Sequence, residues 1–323
     1  MRTFWLSMLG LMLYLPAGVG PTDAKAVDWP KNAIELIVPS TAGGGTDMIS
    51  RVVAGMIDLP QPIAIINRPG AGGTIAMSEV ATSKPDGYTW VTVMPGPFVT
   101  QPYMLDLDFG LDDFRFLAVL NREPMFLVVP SKAPYGTLDE FVKAAKNSGG
   151  SLKYASSSTG SMPHLVQAGF YKEVGIGNAV HVPFNGSSEA LVALLAGEVS
   201  AQVAHMSEVH NYVASGDLKL LAAFSKEPVD FAKGIPTILS LGYNLYVDSY
   251  RFIGVPKGTP DEICAIIKNA VGKAVAKPEY KEFLAKNYME NEILTEEGCR
   301  DAYKKMYEYF GEVAKAAGIG KKK

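Results

Sequence analysis

The sequence predicts an α/β protein of two similar lobes, each a mainly parallel sheet flanked by helices. Three observations carry this. Short apolar runs rich in branched residues alternate with helical patterns along the chain. The scheme of strand, polar turn and helix appears before residue 124 and again after it. The turns that lead from strand to helix are rich in glycine and hydroxyl residues, the kind of loop that binds ligands beyond the carboxyl ends of parallel strands.

The chain has 323 residues, of which 48% are hydrophobic, enough for one large core or two ordinary ones. A net charge of −3 excludes a global basic field for nucleic acid or an anionic membrane, and Lys321, Lys322 and Lys323 read as a solvated tail. At the N-terminus, Arg2 precedes an apolar stretch from Phe4 to Leu15, a Pro/Gly segment and Ala24-Lys25-Ala26. This is the pattern of a secretory signal in residues 1–26, cleaved after Ala26. The apolar stretch is shorter than the roughly 18 residues that span a bilayer, and no cysteine stands at the cleavage site to take a lipid anchor.

In the mature chain, Ile34 to Val38 suits a strand buried on both faces. A glycine turn and a helix over Asp47 to Ile57 follow it. Strands are expected at Ile63 to Asn67, Tyr88 to Met94, Phe116 to Leu120 and Met125 to Pro130, separated by Pro, Gly and Asn punctuation. Thr137 and Glu140 form a capping box for a helix whose apolar face is Leu138, Phe141, Val142 and Ala145. The second half offers Leu152 to Ser156, a helix near His164 to Val174, Val180 to Phe184, a helix over Glu189 to Leu195, and Ala201 to His205. Leu218 to Phe224 and Arg251 to Val255 read as further strands. Thr259-Pro260-Asp261-Glu262 opens a helix with Thr259 as N-cap and Ile263, Ile266, Ile267, Ala270 and Val271 on its buried face. The organisation expected is lobe 1 from 27–124 with 251–323 and lobe 2 from 125–250, joined by crossing strands.

Four turns are candidates for function. Pro39 to Asp47 joins a buried strand to a helix, and its glycines let an anion approach backbone N–H groups at the positive helix end, with Ser40, Thr41 and Thr46 adding hydroxyls. The alternative is a plain tight turn with Thr46 or Asp47 as N-cap. Ser156 to Ser161 is a hydroxyl-rich turn before the helix of His164, either a second clamp on the same anion or a solvated serine turn. Phe184-Asn185-Gly186-Ser187-Ser188 is a third loop of this kind, and Ala204 to Ser207 a fourth. Nucleotide readings fail on spacing: no Gly-Lys-Ser/Thr follows the glycines, and GxGxxG breaks at Met48 and at Ile75.

Catalytic, metal and cofactor patterns are absent from the sequence. There is no GxSxG and no HExxH, and His164, His181, His205 and His210 have no metal spacing. His164 reads as a packed structural residue, while His205, at a strand end, fits either a packing or a ligand role. Cys264 and Cys299 are either a disulfide, open to an exported chain, or two buried thiols.

These loops make the sequence similar to the substrate-binding receptors of the tripartite tricarboxylate transporter family, also called the Bug family. The similarity covers nearly all of the mature chain. It runs through Ile37-Val38-Pro39 with Ala42-Gly43-Gly44-Gly45-Thr46-Asp47, Asn67-Arg68-Pro69-Gly70-Ala71-Gly72-Gly73 and Lys84-Pro85-Asp86-Gly87-Tyr88-Thr89. It continues through Tyr154-Ala155-Ser156-Ser157, Gly160-Ser161, Pro163-His164-Leu165, His181-Val182-Pro183-Phe184, Gly186-Ser187 and Pro256-Lys257-Gly258-Thr259-Pro260.

The resemblance implies a periplasmic two-lobed binding protein of type II that captures a small organic carboxylate and delivers it to membrane permease subunits. It implies a monomer with no cofactor, metal, nucleic acid or catalytic residue. Carried over, the ligand-binding positions are Thr41, Ala42, Gly43, Gly44, Thr46 and Asp47, with Ser157, Gly160, Ser161, Gly186 and Ser187 opposite. Ser158, Phe184 and Asn185 stand where the family usually has glycine, tyrosine and lysine, and Ala204 to Ser207 lacks a frequent aspartate. With His205 and Ser207 these departures complete the candidate site and point to a different distal end of the ligand. Phe98, Phe184, Met206 and Tyr250 are candidates to line that end. Arg251 supplies either a charge there or a structural ion pair, the latter being expected. Two other classes share the cleft: a ligand-sensing partner of a signalling protein, and a secreted hydrolase with Asp47 or His205 as base.

Overall fold

The computed structural model describes residues 27–320 apart from 248 and 317, so the signal segment at 1–26 lies outside the described residues. Its strands form two sheets of five with the same layout. In the first, β1 (Ile34–Val38), β2 (Ile63–Asn67) and β3 (Thr89–Val93) pair in parallel in the order β2-β1-β3. Then β10 (Ser249–Pro256) and β4 (Phe114–Glu123) complete it through antiparallel pairings. In the second, β7 (Val180–Pro183), β6 (Lys153–Ser156) and β8 (Ala201–His205) are the parallel part, and β5 (Met125–Pro130) and β9 (Leu218–Ala223) run antiparallel. The antiparallel fourth position in each sheet belongs to the strand that enters from the other: β5 after β4, and β10 after β9.

Helices α1 (Gly45–Met56), α2 (Thr74–Ala81) and α3 (Gly96–Val99) follow the three parallel strands of the first sheet, and α5 (Met162–Glu173), α6 (Ser187–Ala196) and α7 (Met206–Ala214) those of the second. Six helix starts therefore stand at the carboxyl ends of six parallel strands. The capping box of α4 (Leu138–Lys146) forms as expected: Glu140 N donates to Thr137 Oγ1, the Thr137 amide donates to the Glu140 carboxylate, and Leu138, Phe141, Val142 and Ala145 are buried.

Two local expectations are corrected. At α8 (Asp261–Ala276) the N-cap is Pro260, because the Thr259 hydroxyl donates to the Pro256 carbonyl instead of receiving an amide of the helix. Ala204 to Ser207 is not a loop: β8 continues to His205, and α7 begins at the next residue. The helix needs no connecting turn because the His205 amide is met by the Glu208 carboxylate at 3.1 Å.

With α9 (Pro278–Lys286) and α10 (Glu296–Ala316) three apolar clusters result. One lies between the first sheet and α1, α8 and α9, and another between the second sheet and α6 and α7. The third is continuous between the two sheets, since Cys299, Tyr303, Met306, Phe310 and Val313 of α10 join Phe98, Phe114, Phe116 and Phe252 to Leu127 and Phe170. Two crossings link the sheets as well: β4 passes through Pro124 straight into β5, and the chain returns at Ser249.

Candidate ligand-binding cleft

The turn from β1 to α1 is shaped by Asp47. Its carboxylate accepts from Gly43 N at 2.8 Å, from Arg51 Nε at 2.9 Å and from Asn67 Nδ2 at 2.9 Å, and Asn67 also reaches the Ser40 carbonyl at 2.9 Å. Burial pushes this carboxyl up, but the bonds from Arg51, Gly43 and Asn67 outweigh it and hold it at about 2. Asp47 thus faces inward and braces the turn. Thr41, Ala42 and Gly43 are exposed, and Gly43 takes the φ of 82° that the turn requires. No side chain caps α1, so the amide groups of its first turn are directed past the strand end at Gly44 and Gly45.

The serine turn opposite is bonded to itself. Ser156 Oγ and Ser161 Oγ both donate to the Ser158 carbonyl, at 2.9 and 2.8 Å, and Ser161 Oγ accepts from His164 N at the start of α5. Beneath them the rings of His164 and His181 stack 3.6 Å apart. His164 Nδ1 accepts from Gly160 N at 2.9 Å, so it carries no proton there, and His181 Nε2 is 2.7 Å from Ser156 Oγ. Since that hydroxyl donates to Ser158, His181 supplies the proton of the shared bond. Burial pulls His164 down to about 3, aided by His181, and His181 to about 4. His164 is structural, as expected. Ser157 is half-buried, Ser158 is exposed, and Gly160 is packed against Met104 of the other lobe, whose sulfur would stand 2.3 Å from a Cβ placed there. In the third turn Phe184, Gly186 and Ser187 are half-buried, Asn185 is exposed, and the Asn185 amide donates to Glu189 at 3.2 Å.

Between the two turns lies a bonded chain that spans both lobes. Arg251 on β10 donates to Thr46 Oγ1 at 3.0 Å and to Glu123 Oε2 at 2.7 Å; Glu123 Oε1 accepts from Ser207 Oγ at 2.8 Å, with His205 Nδ1 3.9 Å away. Burial pushes Glu123 up, and the charges of His205 and Arg251 with the Arg251 and Ser207 bonds bring it down to about 2. Asn121 stands opposite Arg251 in the ladder, which puts the two side chains on one face. It is fully buried, and neither its amide nitrogen nor its oxygen has a hydrogen-bond partner in the protein; the buried atoms Ser40 Oγ and His205 Nδ1 likewise have none. Buried polar atoms of this kind are satisfied by water or ligand.

Glu123, Asn121 and Met104 were outside the expected site. The signal was the run Asn121-Arg122-Glu123 inside an apolar stretch, which beside Pro124 reads as a turn. Two expected lining residues are placed elsewhere. Phe98 is 4% exposed within a cluster of Phe109, Phe114, Phe116 and Tyr303, and Tyr250 turns to the other face of the hinge, where its hydroxyl donates to Glu292. That face holds a groove of about 1050 Å³, lined by Arg122, Tyr246, Tyr250, Glu290 and Met306. None of the strand-end turns reaches it. Met206 is buried, Cys264 and Cys299 are buried free thiols, and the described residues contain no group of three metal-ligating side chains.

Paired sheets of one layout, a double crossing, and glycine and serine turns at facing strand ends define a two-lobed solute-binding protein. Residues 49–301 match the model of the tripartite tricarboxylate transporter family receptor, and the chain belongs to that family of solute-binding receptors. BugT of Bordetella pertussis is 30% identical over 296 residues, which cover 87% of this chain and 87% of BugT. A solved solute-binding protein of the family from Polaromonas superposes with a TM-score of 0.80 at 31% identity, covering 89% of this chain and 99% of that one. An R. palustris protein solved with adipate gives 0.76 at 27% identity, covering 91% and 100%.

Proposed function

We propose that the receptor captures a small organic carboxylate between its lobes in the periplasm, closes over it, and delivers it to permease subunits in the membrane without altering it. The lobes are 27–124 with 251–323, and 125–250, working as a monomer after cleavage at Ala26. The observation that carries this reading is the start of α1. Asp47, the one acid of its first turn, is withdrawn into bonds with Arg51, Asn67 and Gly43, which leaves the uncapped, dipole-positive turn open to an external anion. The adipate-bound relative supports the carboxylate class. Thr41, Ala42, Gly43, Gly44 and Thr46 form the first-lobe side, with Asp47 as their brace. Ser157, Ser158, Gly160, Ser161, Phe184, Asn185, Gly186 and Ser187 close from the second, and His205 and Ser207 form the floor with Glu123 and Arg251.

A thermal-shift screen of the purified, ligand-free protein against mono-, di- and tricarboxylates tests this, since a ligand that binds only the folded state raises the midpoint. A concentration-dependent rise with at least one carboxylate is expected. A flat response across the panel, from protein shown to be folded, would contradict it.

A further inference from the structure

We infer that Tyr288 is a positioning residue of the cleft: carried by the first lobe, its ring holds the start of α7, and with it His205 and Ser207, in the place where the ligand meets them. This rests on the ligand-capture reading above and adds to it a residue from outside the cleft. Helix α9 ends in a Schellman pattern, in which Met289 N donates to the Leu284 carbonyl at 2.9 Å and Tyr288 N to the Ala285 carbonyl at 3.2 Å. The residue that makes this turn is left-handed, and glycine is the usual choice because a Cβ is disfavoured there. Tyr288 takes the position at φ 57°, and among the described residues only Ala71 shares a positive φ without being glycine. A bulky ring kept where glycine fits better points to a contact that the ring makes.

That contact is with the other lobe. Leu284 and Met289 pack in the cluster of the first sheet, whereas the Tyr288 ring leaves them for the cluster of the second. Its centroid lies 4.7 Å from that of His210 on α7 and 5.6 Å from that of Phe231, which meets the buried Phe126 of β5 at 6.3 Å. His210 stands three residues beyond Ser207, so the two are neighbours on α7. Ser207 is the residue whose hydroxyl donates to Glu123 in the cleft floor. The other end of the brace is fixed to the hinge. Glu290 and Arg122 exchange both backbone hydrogen bonds at 2.9 Å, one residue from Glu123. The Glu290 carboxylate also accepts from the Asp230 amide of the second lobe at 3.4 Å. The start of α7 is thus tied on two sides, to Glu123 through Ser207 and to Tyr288 through His210, and both ties end on neighbouring residues of β4. Loss of the ring removes one of them.

Tyr288→Gly and Tyr288→Phe test this by hydrogen exchange of the unliganded receptor and by calorimetric titration with adipate, succinate and hexanoate. If Tyr288 only ends α9, glycine serves at least as well and α7 is untouched. As a brace, its loss is expected to speed amide exchange in α7 about tenfold while α5, whose buried residues belong to another cluster, is unchanged. Each acid that binds the unaltered protein is expected to bind Tyr288→Gly about tenfold more weakly, because less of the receptor holds α7 in its binding position. Tyr288→Phe keeps the ring and should match the unaltered protein in both measurements. Unchanged α7 exchange in Tyr288→Gly overturns the inference, as does faster exchange with unaltered affinity, or a phenylalanine variant that behaves like the glycine one. If none of the three acids binds the unaltered protein, the carboxylate reading falls, and the exchange rates still decide whether Tyr288 holds α7.

Discussion

A carboxylate as buried as Glu123, 3% exposed, stays ionised only because Arg251, Ser207 and His205 surround it. The stacked histidines follow the opposite logic: both are kept neutral so that ring nitrogens can hold the serine turn. Their folded pKa values, about 3 for His164 and about 4 for His181, lie below the ordinary histidine value of 6.5. Below about pH 6.5 the unfolded chain therefore binds protons that the folded chain refuses. Stability is full above 6.5 and falls as the pH drops toward 4 and 3, by up to about 1.4 kcal/mol per pH unit for each histidine. Melting temperature measured between pH 7 and 4 should fall steeply, and a His164→Gln, His181→Gln double variant should flatten the curve. An equally steep fall in the variant would place the acid sensitivity elsewhere.

At the scale of elements, α10 joins the lobes outside the crossing strands. Tyr103 donates to the Tyr307 carbonyl and stacks on its ring at 4.8 Å, while Gly169 of α5 lets Tyr309 and Val313 come close. A lobe movement must therefore slide α10 over α5 or carry it along. Gly169→Leu would wedge this contact, at a cost of about 1–3 kcal/mol for overpacking. Urea unfolding should register that loss together with weaker ligand binding, and an unchanged midpoint would mean that the contact is loose. The strands β1, β2, β5 and β8 and the capped start of α4 were legible to the residue, because apolar runs and a capping box are local signals. Residues 121–123 were not, since Arg122 is matched by Glu290 and Glu123 by Arg251, partners more than a hundred positions away. The spacing of Cys299, Tyr303, Met306 and Phe310 does carry the helical period of α10, but the partners of that face come from both lobes.

For the whole molecule, closure needs two lobes whose facing turns are preformed and a floor that spans the hinge. Adjacent residues supply opposite faces of that hinge: Glu123 and Arg251 point to the cleft, Arg122 and Tyr250 to the groove behind. The turns themselves were readable from glycine and serine content, whereas the inward rotation of Asp47 and the bridge from Thr46 to Ser207 depend on long-range contacts that no local pattern records. Closure favours the state that the ligand binds better, so affinity and lobe angle are linked. The most direct test of the account is calorimetric titration of the receptor and of Gly44→Val with the carboxylate that gives the largest thermal shift. Gly44 has φ −73°, open to any residue, and its Cβ would stand 3.3 Å from the Thr41 carbonyl, so valine fills the cradle at the start of α1 without forcing a left-handed backbone. The account predicts one saturable site in the unaltered protein and at least hundredfold weaker binding in a variant that still melts cooperatively. Equal affinity in the two proteins would contradict it.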